Sequence, residues 1–248
     1  MSPVDDARRL IELLDLTELG DACRSGDVAA LVRRGRDRVA ALCVWPQFVG
    51  DTRRALGSAA TAVATVINFP SGGEDVERAV ADAREAVRDG AREIDLVMPW
   101  RAVLAGREDV AAAMIAAVRA HLPDNVVLKV ILETGELASA PMIRRAAEIA
   151  IAAGADFLKT STGKTPTGAT LFAARIVLES IAASGRAVGF KASGGVRTAE
   201  QAAAYLALAE EIMGKGWASR STFRIGASLL LETLEQTTGL SRPTRAPR

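Results

Sequence analysis

Residues 126–164 read VVLKVILETGELASAPMIRRAAEIAIAAGADFLKTSTGK, and this stretch decides the fold. A β-branched run, Val126 to Leu132, gives way to an Ala-rich amphipathic stretch, Ala138 to Ala153, which Gly154 stops. A second short run, Asp156 to Thr160, follows. Strand, helix and strand within the roughly 30-residue span of a βαβ repeat predict two parallel strands joined by a crossover helix.

Outward from there the same alternation fills most of the chain. The predicted strands are Leu13 to Thr17, Val39 to Val44, Ala62 to Ile67, Glu93 to Met98, Val126 to Leu132, Asp156 to Thr160, Ala187 to Lys191, and Thr222 to Gly226. Helices fall between them, among them Asp75 to Asp89 with Gly90 as its stop and Thr198 to Met213. Eight strands in 248 residues match a single-domain (β/α)8 TIM barrel over residues 1–236, preceded by a short N-terminal helix. A doubly wound sheet would show fewer strands and a Gly-rich first turn, and neither G-x-G-x-x-G nor G-x-x-x-x-G-K-[ST] occurs. The least determined strands are the first, where ELLDLTEL could continue the helix before it, and the eighth, which is short. Residues 237–248, TTGLSRPTRAPR, are polar and basic and predict a disordered tail.

Apolar residues make up 49% of the chain and charged ones 25%, enough for a large core and against disorder over most of the length. Formal charge is +1; without Arg242, Arg245 and Arg248 of the tail, 28 basic residues face 30 acidic ones. Bulk electrostatics therefore predict no nucleic-acid partner. Cys23 and Cys43 are too few for a disulfide framework and lie in no ligand pattern, so no metal is expected. With no apolar run of membrane-spanning length and no signal-peptide pattern, we expect no membrane partner and a reducing, cytoplasmic setting.

The basic residues are unevenly chosen: 26 are arginine and five are lysine, at 129, 159, 164, 191 and 215. A position that stays lysine in such a sequence suits a role guanidinium cannot fill, a deprotonable amine or a compact cation. All but Lys215 fall in the segments expected at the C-terminal mouth of the barrel, where active sites sit. Period-two alternation puts Glu93 with Asp95, Lys129 with Glu133, and Phe157 with Lys159 on single strand faces. If those faces turn inward, Lys159, Lys191 and Asp95 share one cavity. Two ammonium groups held close in a partly dry site favour loss of one proton near neutral pH, and a neutral amine attacks carbonyls. That is the physical basis of Schiff-base chemistry.

A phosphate wants backbone N–H donors, hence glycines and small hydroxyls where the backbone must come close. Thr162, Gly163 and Lys164, then Gly194, Gly195 and Val196, then Gly226 and Ser228 supply them after three successive strands. Taken singly, each glycine could serve only a tight βα turn. Lys129 is expected to form a buried ion pair with Asp95 or Glu133. Cys43 could line the pocket, although small buried filler is the favoured reading. His121, in a helix-to-strand connection on the far side, is not expected to act as a base, and Trp45, Trp100 and Trp217 read as packing or loop anchors.

The segments LDLTEL, ALCVWPQFV, INFPSGG, EIDLVM, LKVILETGEL, ADFLKTSTGK, GFKASGGVRT and RIGAS, in this order between residues 14 and 228, resemble the deoxyribose-phosphate aldolase family. The resemblance implies a class I aldolase without metal or cofactor, reversibly cleaving 2-deoxyribose 5-phosphate to glyceraldehyde 3-phosphate and acetaldehyde. It implies Lys159 as the Schiff-base lysine, Lys191 as the second lysine that perturbs it, and Asp95 as a carboxylate shuttling protons through water. Asp15 and Thr17 match a motif of the family, where contact with a substrate hydroxyl and capping of the strand end are both open. The resemblance also allows a homodimer. Two departures stand out: members often carry a second serine where this chain has Leu229, and some end in a tyrosine, whereas Tyr205 lies on a mid-chain helix. A class I aldolase with another aldehyde acceptor, or a barrel that binds sugar phosphate without turnover, are the alternatives.

Overall fold

The computed structural model describes residues 2–239. Eight parallel strands close into a barrel in chain order: β1 Leu14–Glu18, β2 Ala41–Val44, β3 Ala62–Ile67, β4 Glu93–Val97, β5 Val127–Ile131, β6 Phe157–Lys159, β7 Gly189–Ser193 and β8 Phe223–Ala227. The helices are α1 Pro3–Glu12, α2 Ser25–Gly35, α3 Val49–Leu56, α4 Val76–Asp89, α5 Trp100–Leu104, α6 Glu108–His121, α7 Thr134–Leu137, α8 Ala140–Ala152, α9 Leu171–Ser184, α10 Ala199–Met213 and α11 Leu230–Thr238.

Local chemistry sets the helix ends. The Asp75 side chain accepts from the Arg78 amide at the start of α4, and Gly90 ends that helix with φ +109°, a conformation that costs glycine little. Thr198 and Gln201 form a capping box on α10, and Ser2 and Asp5 form one on α1. Along α4 the buried Ala79, Ala83 and Ala86 make one small-residue stripe against the sheet.

The ELLDLTEL ambiguity resolves into both elements: α1 stops at Glu12, Leu13 caps it, and β1 starts at Leu14. β6 is shorter than expected, because after Lys159 the chain leaves the sheet for a loop that runs to α9. The predicted Ala138–Ala153 helix begins only at Ala140, since Ala138 takes a positive φ of 57° after the short α7. Thr237 and Thr238 belong to α11, so the ordered chain passes the expected boundary; the rest of the predicted tail, from 240, lies outside the described residues. No helix among the described residues is long and apolar enough to cross a membrane.

Alternation along the strands divides the interior into two. Outward residues such as Leu16, Leu42, Ile94, Leu96, Leu128 and Leu158 join the main apolar core beneath the helices. Inside the barrel Ala41, Cys43, Ala64 and Val66 form a small separate cluster with Leu19, and the charged residues occupy the rest.

Candidate active site

Register brings the lysines together. Lys159 of β6 lies level with Lys191 of β7, which lies level with Arg224 of β8; Asp95 of β4 is level with Lys129 of β5. All five are buried, as are Asp15 and Glu93. Lys159 donates to Asp95 Oδ2 at 2.8 Å, Lys191 to the same oxygen at 2.7 Å, and Lys129 to Asp95 Oδ1 at 2.9 Å. Lys191 also pairs with Asp15 at 2.6 Å, and Lys129 with Glu93 at 2.5 Å. Long inward side chains need room, which Gly226 provides: a Cβ there would stand 2.9 Å from Lys191 Cε.

The two lysines on Asp95 Oδ2 are shifted in opposite directions. Burial would lower Lys191, but Asp15 and Asp95 more than offset it and hold its ammonium well above the ordinary lysine value. For Lys159 burial is the largest influence; Asp95 works against it, Lys191 adds to it, and the amine ends below the ordinary value. Of the two expected influences on Lys159, a second ammonium and a partly dry site, loss of water is the larger and Lys191 the smaller. Burial would raise Asp95, yet Lys129, Lys159 and Lys191 hold it well below the usual carboxylate range, so it is an anion at neutral pH. Lys129 is held above its ordinary value, since Asp95, Glu93 and Asp15 outweigh its burial.

A cavity of about 380 Å3 opens above this layer. Its lining includes Lys159 and Thr17, and it gathers the expected phosphate residues Thr162, Gly163, Lys164, Gly194, Gly195, Val196, Gly226 and Ser228. Gly163, Gly194 and Gly195 take positive φ of 78°, 93° and 87°, which turns the backbone of two loops toward the opening. Gly168 packs against the same loops so closely that a Cβ would lie 2.3 Å from the Gly194 carbonyl. Lys164 bonds the exposed Asp21 at 2.7 Å, a rim pair that an incoming dianion could displace at small cost.

One expected pairing does not form. Glu133 does not pair with Lys129: it lies beyond the end of β5 with φ +57° and accepts from the Thr162 amide at 3.2 Å and its hydroxyl at 2.6 Å. Lys129 takes Asp95 instead, as the other expected partner, together with Glu93. Asp15 is no strand-end cap; it sits deep in the barrel between Lys191 and Arg224. Thr17 is at the mouth, with its hydroxyl donating to the Asp15 carbonyl at 2.9 Å. Cys43 does not line the cavity but fills the apolar cluster beside the lysines, where burial raises its thiol. Tyr205 is mostly buried on α10 and does not border the cavity; burial pushes its phenol up to about 12. His121 is the last residue of α6 and bonds the Ala117 carbonyl, and Trp45 anchors a loop by donating to the Gly20 carbonyl at 3.1 Å. Among the described residues no group of three or more His, Cys, Asp or Glu side chains is arranged to hold a metal.

Two residues escaped the sequence. Arg224 joins the buried charges by bonding Asp15 at 2.5 Å and Glu93 at 2.8 Å. Arg197 borders the cavity at the start of the loop into α10. Arg197 stands in the GGVRT motif and Arg224 opens RIGAS, so both could have been read there, although composition marks neither among 26 arginines.

Comparison with known proteins agrees with this geometry. The model of the DeoC/LacD family aldolases matches residues 9–236. A deoxyribose-phosphate aldolase of Agrobacterium fabrum is 50% identical over 98% of this chain and 96% of its own length. A structure from Toxoplasma gondii is similar with TM-score 0.88 at 26% identity, covering 98% of this chain and 99% of its own. The deoxyribose phosphate aldolase from Aeropyrum pernix, described as a tetramer, has TM-score 0.74 at 25% identity over 97% of this chain and 94% of its own.

Proposed function

The chain belongs to the DeoC/LacD family of aldolases, and from that premise we propose that it is a deoxyribose-phosphate aldolase. The reaction is reversible cleavage of 2-deoxyribose 5-phosphate to acetaldehyde and glyceraldehyde 3-phosphate through a lysine Schiff base. The observation that carries the reading is Lys159: a buried amine below its ordinary pKa, at the floor of a cavity rimmed by glycine loops.

Lys159 in its neutral form adds to the C1 aldehyde of the open-chain sugar; a C–N bond forms, water leaves, and a protonated imine results. The bond that breaks is C2–C3, because two carbons must leave as acetaldehyde and three as glyceraldehyde 3-phosphate. As the C3 hydroxyl gives up its proton, the C2–C3 electron pair moves into the imine, leaving an enamine and the three-carbon aldehyde. Protonation at C2 and hydrolysis then release acetaldehyde and restore Lys159. Asp95, acting through water, relays the protons at the C3 hydroxyl and at C2; its low pKa suits passing a proton on and not keeping one. Lys191 remains charged and orients Asp95. Gly163, Lys164, Gly194, Gly195, Val196, Gly226 and Ser228 form the phosphate site, Thr17 and Thr162 face the substrate, and no metal or cofactor takes part.

Leu229 favours one check on the acceptor. It is 64% exposed at the cavity rim, where family members often place a serine, and it offers a phosphate no hydroxyl. Synthesis from acetaldehyde should nevertheless run faster with glyceraldehyde 3-phosphate than with glyceraldehyde, and cleavage should survive prolonged chelation. Preference for the unphosphorylated acceptor would move the assignment to another aldehyde substrate, and absence of all turnover would leave a binding barrel. We also propose a cytoplasmic location, supported by two unpaired cysteines, and self-association, a homodimer being the smallest such assembly. Light scattering tests the latter.

A further inference from the structure

Arg224 uses its whole guanidinium inside the barrel. It donates to Asp15 Oδ1 at 2.5 Å, to Glu93 Oε1 at 2.8 Å and Oε2 at 3.1 Å, and through Nε to the Arg220 carbonyl at 2.6 Å. Only 5% of it is exposed, and the group lies 5.6 Å from the centre of the Phe157 ring. Asp15 and Glu93 pass the contact on, Asp15 to Lys191 and Glu93 to Lys129, and those two lysines meet Lys159 at Asp95.

The connected set holds three carboxylates and four potential cations, each at most 5% exposed. An uncompensated buried charge is costly, so one cation should shed its proton. Arg224 cannot, because guanidinium does not deprotonate in proteins. Lys129 has three carboxylates within 3.6 Å and Lys191 has two. Lys159 has one, and shares it.

We propose that Arg224 is a positioning residue for the aldol reaction: with Lys129 and Lys191 it cancels Asp15, Glu93 and Asp95, leaving Lys159 as the amine for which no carboxylate remains. Arg224 acts without reaching the substrate. It fixes the count of permanent charges beneath the nucleophile, and it rests on the reading of Lys159 as the Schiff-base residue.

The surroundings of Lys159 allow this count. From β2 comes only the Cys43 thiol, whose pKa burial raises, and from β3 only Ala64 and Val66. Above, at the mouth, Glu133 is occupied by Thr162, and Lys164 by Asp21. Lys159 itself lies below its ordinary value, with burial as the first cause, which accords with a site that prefers the neutral amine.

The experiment measures borohydride trapping with acetaldehyde as a function of pH for the full chain, Arg224→Met, Glu93→Gln and the double variant. Removing one charge about two strand spacings, or ~10 Å, from Lys159 should move the midpoint of trapping by roughly one pH unit. Arg224→Met should move it upward, making trapping about tenfold slower below the midpoint and restoring it at high pH. Glu93→Gln should move it downward by a similar amount, and the double variant should return near the wild-type midpoint. A role confined to packing would slow trapping at every pH without moving the midpoint. Single variants that leave the midpoint in place or move it the same way, or a double variant that fails to return, overturn the proposal. Should Arg224→Met not fold, Arg224→Lys, which keeps the charge, should keep the midpoint, and Glu93→Gln alone decides the sign. Wild-type protein that cannot be trapped at all would instead refute the proposed function.

Discussion

Six of the eight barrel strands, all but β2 and β3, serve two regions of opposite chemistry. Outward, Leu16, Ile94, Leu96, Leu128, Phe190 and Phe223 are fully buried against the helices. Inward, on the same strands, Asp15, Asp95, Lys129 and Lys191 are equally buried. The outer shell is held by burial of apolar area, about 25 cal/mol per Å2, without direction, and it tolerates swaps of similar volume. The inner layer depends on each charge having its partner, because removing one leaves another stranded in a medium of low dielectric. The small side chains of β2 and β3, Ala41, Cys43, Ala64 and Val66, leave the space into which the lysine stems extend. Equal burial therefore means different things: the shell keeps the barrel closed, and the interior holds one amine below its ordinary pKa.

The largest effect separating the two regions is on activity. Lys159→Met should reduce turnover to background, since it removes the only group proposed to form a covalent bond with the substrate. The same variant should be more stable than wild type at pH 7. The folded pKa of Lys159 lies below the unfolded value of ~10.4, so folding releases a proton there, and stability rises with pH between the two values. The cost is full below the folded value and gone above ~10.4, and the stability gap between variant and wild type should close toward that pH. A variant less stable than wild type at pH 7 would show that folding does not lower the pKa of Lys159.

Lys129→Met should destabilise by about 3–5 kcal/mol, because Glu93 and Asp95 lose a buried partner, and it should move the pH dependence as well. In the shell, Leu96→Ala should cost about 2–5 kcal/mol through the cavity it leaves, with the pH profile of the surviving activity unchanged. Chemical denaturation combined with pH–rate profiles distinguishes these outcomes; a shifted profile in Leu96→Ala would break the division. Least affected should be Arg107→Ala, which removes an exposed pair with Glu74 and should leave the melting temperature where it was.

Much of the division was visible in the sequence because strand alternation is local. Glu93 and Asp95, or Phe157 and Lys159, fall on one face by spacing alone, and a lysine kept amid arginines marked the inward positions of β5, β6 and β7. Partners were harder. Arg224 and Asp15 lie 209 residues apart and meet only when β8 closes against β1, and an arginine in this sequence carries no compositional signal. Glu133 was misplaced because a single left-handed residue ends the alternation after Ile131, and no residue type announced that turn. The short β6 and the offset start of α8 have the same origin, loops whose conformation answers to neighbours across the barrel mouth.

The central claim is that Lys159 is the amine that reacts, and that it reacts because it is neutral. Incubating the protein with acetaldehyde and borohydride, digesting it, and locating the added ethyl group by mass spectrometry tests this directly. The account predicts a single ethyl group on the peptide carrying Lys159, with trapping half-maximal at a pH below the ~10.4 of a free lysine. An ethyl group on Lys191 or Lys129, or trapping of Lys159 that begins only above the ordinary lysine range, would contradict it.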